Sequence, residues 1–262
     1  MFRKTITTIS IFLLLGASSQ AYSQSFIENV KEGFSSLFKG NSNDTVSSGK
    51  AKGKVVAMTL KDGTVYVGEM KGKRPNGQGK AIYKNGDIYE GGFLKGLRSG
   101  MGEYRFKNGE RYDGEFKEGF LHGSGVYTFS DGRKYSGMWE RDAQHGYGRM
   151  DYPNGDCYSG SWADGERSGS GSYFYANGAS YVGEWKDDNM NGTGIIRRKN
   201  GIKYKGGFVD GLEHGAGVAE DKDGIRYEGT FENGMRHGKF TVKDKSGKVL
   251  RECVYNSGNT EQ

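Results

Sequence analysis

From Val65 onward, apolar or small residues alternate with polar ones at period two, in a block that restarts every 23 residues. Each block opens Tyr-x-Gly-x-large. Tyr66, Tyr89, Tyr112, Tyr135, Tyr158, Tyr181, Tyr204 and Tyr227 are followed two positions on by Gly, and four positions on by Met70, Phe93, Phe116, Trp139, Trp162, Trp185, Phe208 and Phe231. Period-two alternation puts Tyr, Gly and the large residue on one face of a β-strand. A Gly pair comes next, from Gly77/Gly79 to Gly215/Gly217, and leads into a second alternating run such as Tyr104-Arg105-Phe106. Asn108-Gly109, Asp131-Gly132, Asn154-Gly155, Asn177-Gly178 and Asn200-Gly201 then stand between blocks, and such dipeptides suit tight turns that need positive φ. Each block is therefore a hairpin. Their unbroken succession predicts an all-β fold, an elongated single-layer antiparallel meander of about eight 23-residue hairpins. Glycine in mid-strand usually weakens a sheet, so its regular use predicts close backbone approach beneath the aromatic rows.

The ends of the array are irregular. Val55 to Gly63 is half a block, because Gly63 lies 23 residues before Gly86. The eighth copy departs at Gly238, which is followed by Phe240 instead of a second Gly. The segment Gly247–Tyr255 supplies a last strand with Leu250 where the next Tyr would stand. The array is accordingly expected over 55–255, with a disordered tail at 256–262. About seventeen strands at ~4.8 Å each would make a sheet roughly 80 Å long.

The N-terminus has a different pattern. Arg3 and Lys4 precede the apolar run Ile9–Leu15, and Ser19-Gln20-Ala21 fits a small-x-small cleavage site, so 1–21 is expected to be a secretory signal peptide. Ser25-Phe26-Ile27-Glu28 has the form of a capping box, and Phe26, Ile27, Val30, Phe34, Leu37 and Phe38 share one helical face. A short amphipathic helix is therefore expected at 22–38, followed by a Gly-, Ser-, Asn- and Lys-rich flexible linker at 39–54. The chain is then an exported protein, periplasmic or secreted, with a membrane-associated location as a variant of the same expectation.

Units such as Tyr112-Asp-Gly-Glu-Phe-Lys-Glu-Gly-Phe-Leu-His-Gly-Ser-Gly125 closely resemble the MORN family (membrane occupation and recognition nexus repeats). The resemblance covers residue 66 to about 240 and implies a twisted single-layer β array with an aromatic-lined groove. It further implies a role as scaffold, self-association module or membrane-linked adaptor, with no catalytic residues in the repeat itself.

Composition agrees with a thin sheet. The chain has 46 Gly and only 2 Pro, and its apolar fraction of 34% is too low to fill a thick two-layer core. The 13% of aromatic residues is too high for a disordered glycine-rich segment. Net charge is +6, and removing 1–21 takes Arg3 and Lys4 and no acid, leaving +6 − 2 = +4, which does not mark a nucleic-acid binder.

Candidate chemistry is sparse. His122, His145, His214 and His237 occupy one loop position where the other copies have Asn76, Ser99, Ser168 and Asn191, which marks a polar turn residue, not a ligand or a base. Cys157 and Cys253 are four repeats plus four residues apart, roughly 38 Å along the array, far beyond disulfide reach. The Gly-x-Gly pairs lack the helix and Lys-Ser/Thr of a phosphate loop. No enzyme, cofactor, metal, small-molecule substrate or nucleic acid is expected.

Function is sought where the copies differ. Two positions of the second strand read Ala81/Tyr83, Tyr104/Phe106, Tyr127/Phe129, Met150/Tyr152 and Tyr173/Tyr175, then Ile196/Arg198, Ala219/Asp221 and Val242/Asp244. The aromatic stripe stops after five units. With Trp139, Trp162 and Trp185 it is a candidate groove for a peptide, a glycan or another copy of the chain, and a protein partner or the chain itself is the leading expectation. Arg197, Arg198, Lys199, Lys203 and Lys205 follow as a basic cluster which, with the helix at 22–38, forms the alternative: a contact with anionic lipid or another polyanion at a membrane surface.

Overall fold

The computed structural model describes residues 54–260. The expected export segment and helix lie outside the described residues, as does the linker except for Lys54, which opens the first strand. The chain forms one antiparallel sheet of 19 strands, each paired with its neighbours in sequence. After β1 (Lys54–Thr59), each unit contributes a seven-residue first strand and a nine-residue second strand, beginning with β2 (Val65–Lys71) and β3 (Arg74–Ile82). The series continues as β4 (Ile88–Leu94), β5 (Leu97–Arg105), β6 (Arg111–Lys117), β7 (Phe120–Thr128), β8 (Lys134–Glu140) and β9 (Ala143–Asp151). It ends with β10 (Cys157–Ala163), β11 (Glu166–Phe174), β12 (Ser180–Lys186), β13 (Asn189–Arg197), β14 (Lys203–Val209), β15 (Leu212–Glu220), β16 (Arg226–Glu232) and β17 (Met235–Lys243). β18 (Val249–Asn256) is the last strand expected from Gly247–Tyr255, and a short strand, β19 (Asn259–Thr260), follows it. The array thus runs past Tyr255 into residues expected to be a disordered tail, because Asn256-Ser257-Gly258 turns the chain back, with Ser257 and Gly258 both at positive φ.

Why glycine recurs in mid-strand is visible in β2 and β3. Gly68 and Gly79 face each other, and the ring of Tyr66 lies across both: a Cβ on Gly79 would stand 2.4 Å from Tyr66 Oη and 2.6 Å from Cε2. The same ring-over-glycine arrangement repeats under Tyr89, Tyr112, Tyr135, Tyr158, Tyr181 and Tyr204. All seven rings are completely buried on a single-layer sheet, which is feasible only because nothing separates them from the backbone. A bulge between Gly68 and Met70 leaves Glu69 without a partner on β3, and its carbonyl accepts the Tyr66 hydroxyl at 2.8 Å. The six later tyrosines donate to the carbonyl three residues on in the same way, at 2.9–3.0 Å.

The large residue four positions after each Tyr closes the core. Tyr112 meets Phe116 and Trp139 edge-on, with centroids 5.2 and 5.5 Å apart, and Tyr135 meets Trp139 and Trp162 at 5.1 and 5.3 Å. The result is a zigzag of T-shaped contacts from Tyr66 through Phe231, each worth about 0.5–1.5 kcal/mol beyond the area it buries. We call this side of the sheet the ring face.

The irregular eighth unit follows the same logic with the roles exchanged. Phe240 replaces the second glycine, and its own ring now covers Gly229, 2.6 Å from where a Cβ would stand. Tyr227 is displaced to a half-buried position, where the Arg236 guanidinium lies 3.7 Å from its ring centre. Phe240 then contacts Tyr255 at 5.1 Å and closes the zigzag. A bulge between Val242 and Lys243 shifts β18 by one residue, so Arg251, and not Leu250, opposes Val242 at the expected Tyr position.

Burial pushes the phenol groups up; for Tyr181 and Tyr204 it outweighs all else, with Glu184 or Glu213 adding to it, and both reach about 12. A raised folded-state value means that this stability is fully present below the unfolded value of about 10 and is lost as pH rises past it. Alkaline unfolding is therefore expected to be steep between about pH 10 and 12, with several protons released together. Circular dichroism against pH checks this, and a melting temperature constant across that window would contradict it.

Candidate functional site

The stripe residues fall into two roles. Tyr104, Tyr127 and Tyr173 sit on the second strands opposite Tyr89, Tyr112 and Tyr158, and the first two are buried. Each donates its hydroxyl to a carboxylate of the preceding turn: Tyr104 to Asp87 Oδ2 at 2.8 Å, Tyr127 to Glu110 Oε2 at 2.7 Å, Tyr173 to Asp156 Oδ2 at 2.9 Å. The other oxygen of the same carboxylate accepts a backbone N–H three residues beyond that tyrosine, from Lys107, Ser130 or Ala176. These ties hold one hairpin to the next. The Tyr127 hydroxyl holds the Glu110 carboxyl below the usual range, and the Ala176 N–H does so for Asp156.

A signal for this pairing exists in the sequence. Where the second-strand residue is Met150, Ile196, Ala219 or Val242, the turn position 17 residues earlier holds Arg133, Ala179, Ile202 or Ile225 and no carboxylate. Asp87, Glu110 and Asp156 are therefore members of the stripe that its aromatic pattern alone does not reveal.

The second row is less committed. Tyr83, Phe106, Phe129, Tyr152 and Tyr175 are half-buried, and their ring contacts run along the array. Tyr83–Tyr104, Tyr104–Phe106, Phe106–Tyr127 and Tyr127–Phe129 are 5.8, 4.5, 5.6 and 4.5 Å apart, while Tyr152–Tyr173 and Tyr173–Tyr175 are 5.9 and 4.5 Å apart. The two blocks meet at Met150 and Arg133, whose guanidinium lies 4.7 Å from the Phe129 ring centre. Arg98 and Arg167 stack similarly, 4.6 Å from Tyr104 and 4.3 Å from Trp185. A depression of about 380 Å³ opens here, lined by Arg98, Phe106, Leu121, Phe129, Asp142 and Gln144 over Tyr104, Tyr127 and Trp139. Trp162 and Trp185 are as buried as Trp139, so the three tryptophans form the floor of the ring face and not its surface.

The basic cluster divides between the two faces of the sheet. Arg198 is on the ring face and pairs with the buried carboxylate of Glu213, whereas Arg197, Lys203 and Lys205 point to the opposite face. Lys203 pairs with Glu220 at 2.9 Å, and Lys199 is exposed. The position expected in a loop lies instead inside the second strands, as Asn76 in β3, His122 in β7, His145 in β9 and His237 in β17, because these strands start right after a two-residue turn. Asn76 accepts from the Lys95 N–H at 3.3 Å, and His145 and His237 lie 3.5 and 3.7 Å from Glu140 and Glu232. Among the described residues no group of three His, Cys, Asp or Glu side chains is placed to hold a metal, and Cys157 and Cys253 are free thiols.

The family model of the MORN repeat matches eight consecutive segments: 66–88, 89–111, 112–132, 135–157, 158–180, 181–203, 204–226 and 227–239. The chain belongs to the MORN-repeat family. Each MORN segment begins at the tyrosine of a first strand or its equivalent, so the family unit and the ring-over-glycine hairpin coincide. Among solved structures the chain is similar to the wild-type TCP10 domain of Danio rerio CPAP, at 12% identity, with 76% of this chain and 100% of that chain covered and a TM-score of 0.42. It is also similar to the SAS-4 (dCPAP) TCP domain of Drosophila melanogaster, solved in complex with a proline-rich motif of Ana2, at 11% identity, with 77% and 90% covered and a TM-score of 0.30. A search of curated protein sequences finds no match.

Proposed function

We propose that this MORN array is a non-catalytic, exported scaffold that binds an extended segment of a protein partner along the ring face of units two to five. The observation that carries this reading is the row Phe106, Phe129, Tyr152 and Tyr175. These rings are half-exposed, follow one another along the array, and have no partner role comparable to the Tyr–carboxylate ties beside them. A peptide lying across the strands would meet aromatic surface in every unit and guanidinium groups at Arg98, Arg133 and Arg167. Such a surface favours a segment carrying apolar or proline side chains, since Arg133 and Arg167 already pair with Asp131 and Asp188. Export rests on the charge, apolar run and cleavage pattern of residues 1–21.

Tyr127 and Tyr173 are poor probes of binding, since their loss would also cut the carboxylate ties. The test is a photo-crosslinking amino acid placed at Phe129, compared with one placed at Tyr147, which is 67% exposed on the opposite face. A partner from an envelope extract is expected to be captured at 129 and not at 147, and capture is expected to fall at least tenfold in Phe106→Ser/Tyr152→Ser, with circular dichroism showing that the variant is still folded. Equal capture from both faces, or no loss in the double variant, would overturn the proposal.

A further inference from the structure

The two ends of the sheet carry complementary parts of one hairpin unit. β1 pairs with β2 in the register that every second strand adopts with the first strand that follows it: Lys54↔Met70 and Met58↔Tyr66 match Gly77↔Phe93 and Ala81↔Tyr89. It is therefore the latter part of a second strand, equivalent to Gly77–Ile82, with no first strand on its other edge among the described residues. At the far end β18 is a first strand. Its last two residues pair as Tyr255↔Thr260 and Asn256↔Asn259, the equivalents of Met70↔Pro75 and Lys71↔Arg74. On that correspondence β19 is the beginning of a second strand, equivalent to Arg74–Pro75. Among the described residues, no strand equivalent to Gly77–Ile82 lies beside β18. β1 is such a strand.

We infer that copies of this chain join end to end, β1 of one copy completing the second strand begun by β19 against β18 of another. The register follows from the correspondence: Val56, Met58 and Thr59 would oppose Cys253, Arg251 and Leu250 of the second copy, as Gly79, Ala81 and Ile82 oppose Gly68, Tyr66 and Val65 in unit one. Faces agree as well, because Val56 and Met58 share the ring face with Tyr66, while Arg251 and Cys253 share it with Val242 and Phe240. On the other face Val55 would meet Val254.

Both edges are in the condition such a joint needs. Beyond β2, β1 has no strand neighbour among the described residues, and β18 has only the two-residue β19. Val55 and Met58 at one edge and Val249, Leu250 and Val254 at the other are exposed, at 37–52%. Neither strand carries proline, and long unpaired edges with apolar residues are templates for pairing with another chain. Because the two surfaces differ, the contact is head-to-tail and extends into a filament or ring, whereas pairing of like edges would stop at a dimer. The inference does not depend on the partner proposed for the ring face, which the joint leaves open.

Directional disulfide trapping on the full mature chain tests it. One protein carries Cys157→Ser and keeps Cys253; the other carries Cys157→Ser, Cys253→Ser and Val56→Cys. Cross-strand Cα atoms about 4.5–5.5 Å apart are within disulfide reach. After mild oxidation of the mixture the mixed disulfide is expected to exceed either homodisulfide at least tenfold, and replacing Val56→Cys by Ala57→Cys, one residue on and facing the other way, is expected to lower it at least tenfold. Sedimentation of the wild type is expected to show mass rising with concentration beyond a dimer. Homodisulfides as abundant as the mixed product, equal trapping from position 57, or a strict monomer at high concentration would each overturn the joint. Circular dichroism of each variant confirms that the compared proteins are equally folded.

Discussion

Gly125→Ala is expected to destabilise the array by about 3 kcal/mol, although it adds only one methyl group to an ordinary strand position. The new Cβ would stand 2.2 Å from Tyr112 Oη and 2.4 Å from its Cε2 and Cζ, so the ring must leave the backbone it rests on. Tyr112 would then lose its hydrogen bonds to the carbonyls of Glu115 and His122, at 3.0 and 3.3 Å, and its edge-on contacts with Phe116 and Trp139. Overpacking of this kind costs about 1–3 kcal/mol, and a buried hydroxyl deprived of its acceptor adds about 1–3. Gly109→Ala is the control. That residue has φ +92° with open space where a Cβ would go, so only the backbone conformation is penalised, at about 1–2 kcal/mol. The two glycines also differ in context. In a Tyr112→Ala background, the additional cost of Gly125→Ala should fall below about 1 kcal/mol because the colliding ring is gone, whereas the cost of Gly109→Ala should not change. Thermal melts of the five variants, the three single changes and the two doubles, measure both differences, and additive costs at 112 and 125 would show that the glycine is kept for another reason.

Period-two alternation with a fixed 23-residue spacing made the hairpin meander legible, since both signals are properties of the backbone path. The same pattern placed Tyr104, Phe106, Tyr127 and Phe129 on one face correctly but could not separate them, because alternation reports the face of a side chain and not what it touches. Tyr127 is consumed by Glu110, whereas Phe129 is not; only the turn residue 17 positions away distinguishes them. Spacing failed at the C-terminal end for a related reason. A single bulge in β18 moves Arg251 into the position counted for Leu250, and a one-residue shift exchanges the two faces of every later residue in that strand. Proximity in sequence likewise misled for Arg197 and Arg198, which as chain neighbours point to opposite faces, so the cluster divides, with Arg197, Lys203 and Lys205 on one face and Arg198 on the other. The exchange of Tyr227 for Phe240 as the ring over Gly229 was marked in the sequence by the missing second glycine, yet its meaning depends on knowing that those glycines exist to receive a ring.

Tyr135→Ala is expected to do more than destabilise: it should divide the array into two folding units. Tyr135 is completely buried and contacts Trp139 and Trp162 at 5.1 and 5.3 Å, so it is the ring through which the third and fourth units hand the zigzag to the fifth. Truncating a buried aromatic side chain costs about 3–5 kcal/mol. In a linear array each hairpin contacts only its neighbours, so stability is a sum of unit and interface terms, and a weakened interface in the middle uncouples what lies on either side. Tyr66→Ala removes an equally buried ring, but at the N-terminal end, where its only aromatic contact among the described residues is Phe93 at 5.2 Å. The local loss is similar, yet it frays one end and leaves the central coupling intact. Denaturation followed by tryptophan fluorescence, which reports on Trp139, Trp162 and Trp185, and by circular dichroism, which reports on the whole sheet, separates the cases. For Tyr135→Ala the two signals should give different midpoints and a broadened transition. In Tyr66→Ala the fluorescence midpoint should stay close to that of the wild type while the dichroism shows an early, small-amplitude loss. Coincident single transitions in both variants would mean that cohesion is shared along the whole sheet and not passed ring by ring through the tyrosines.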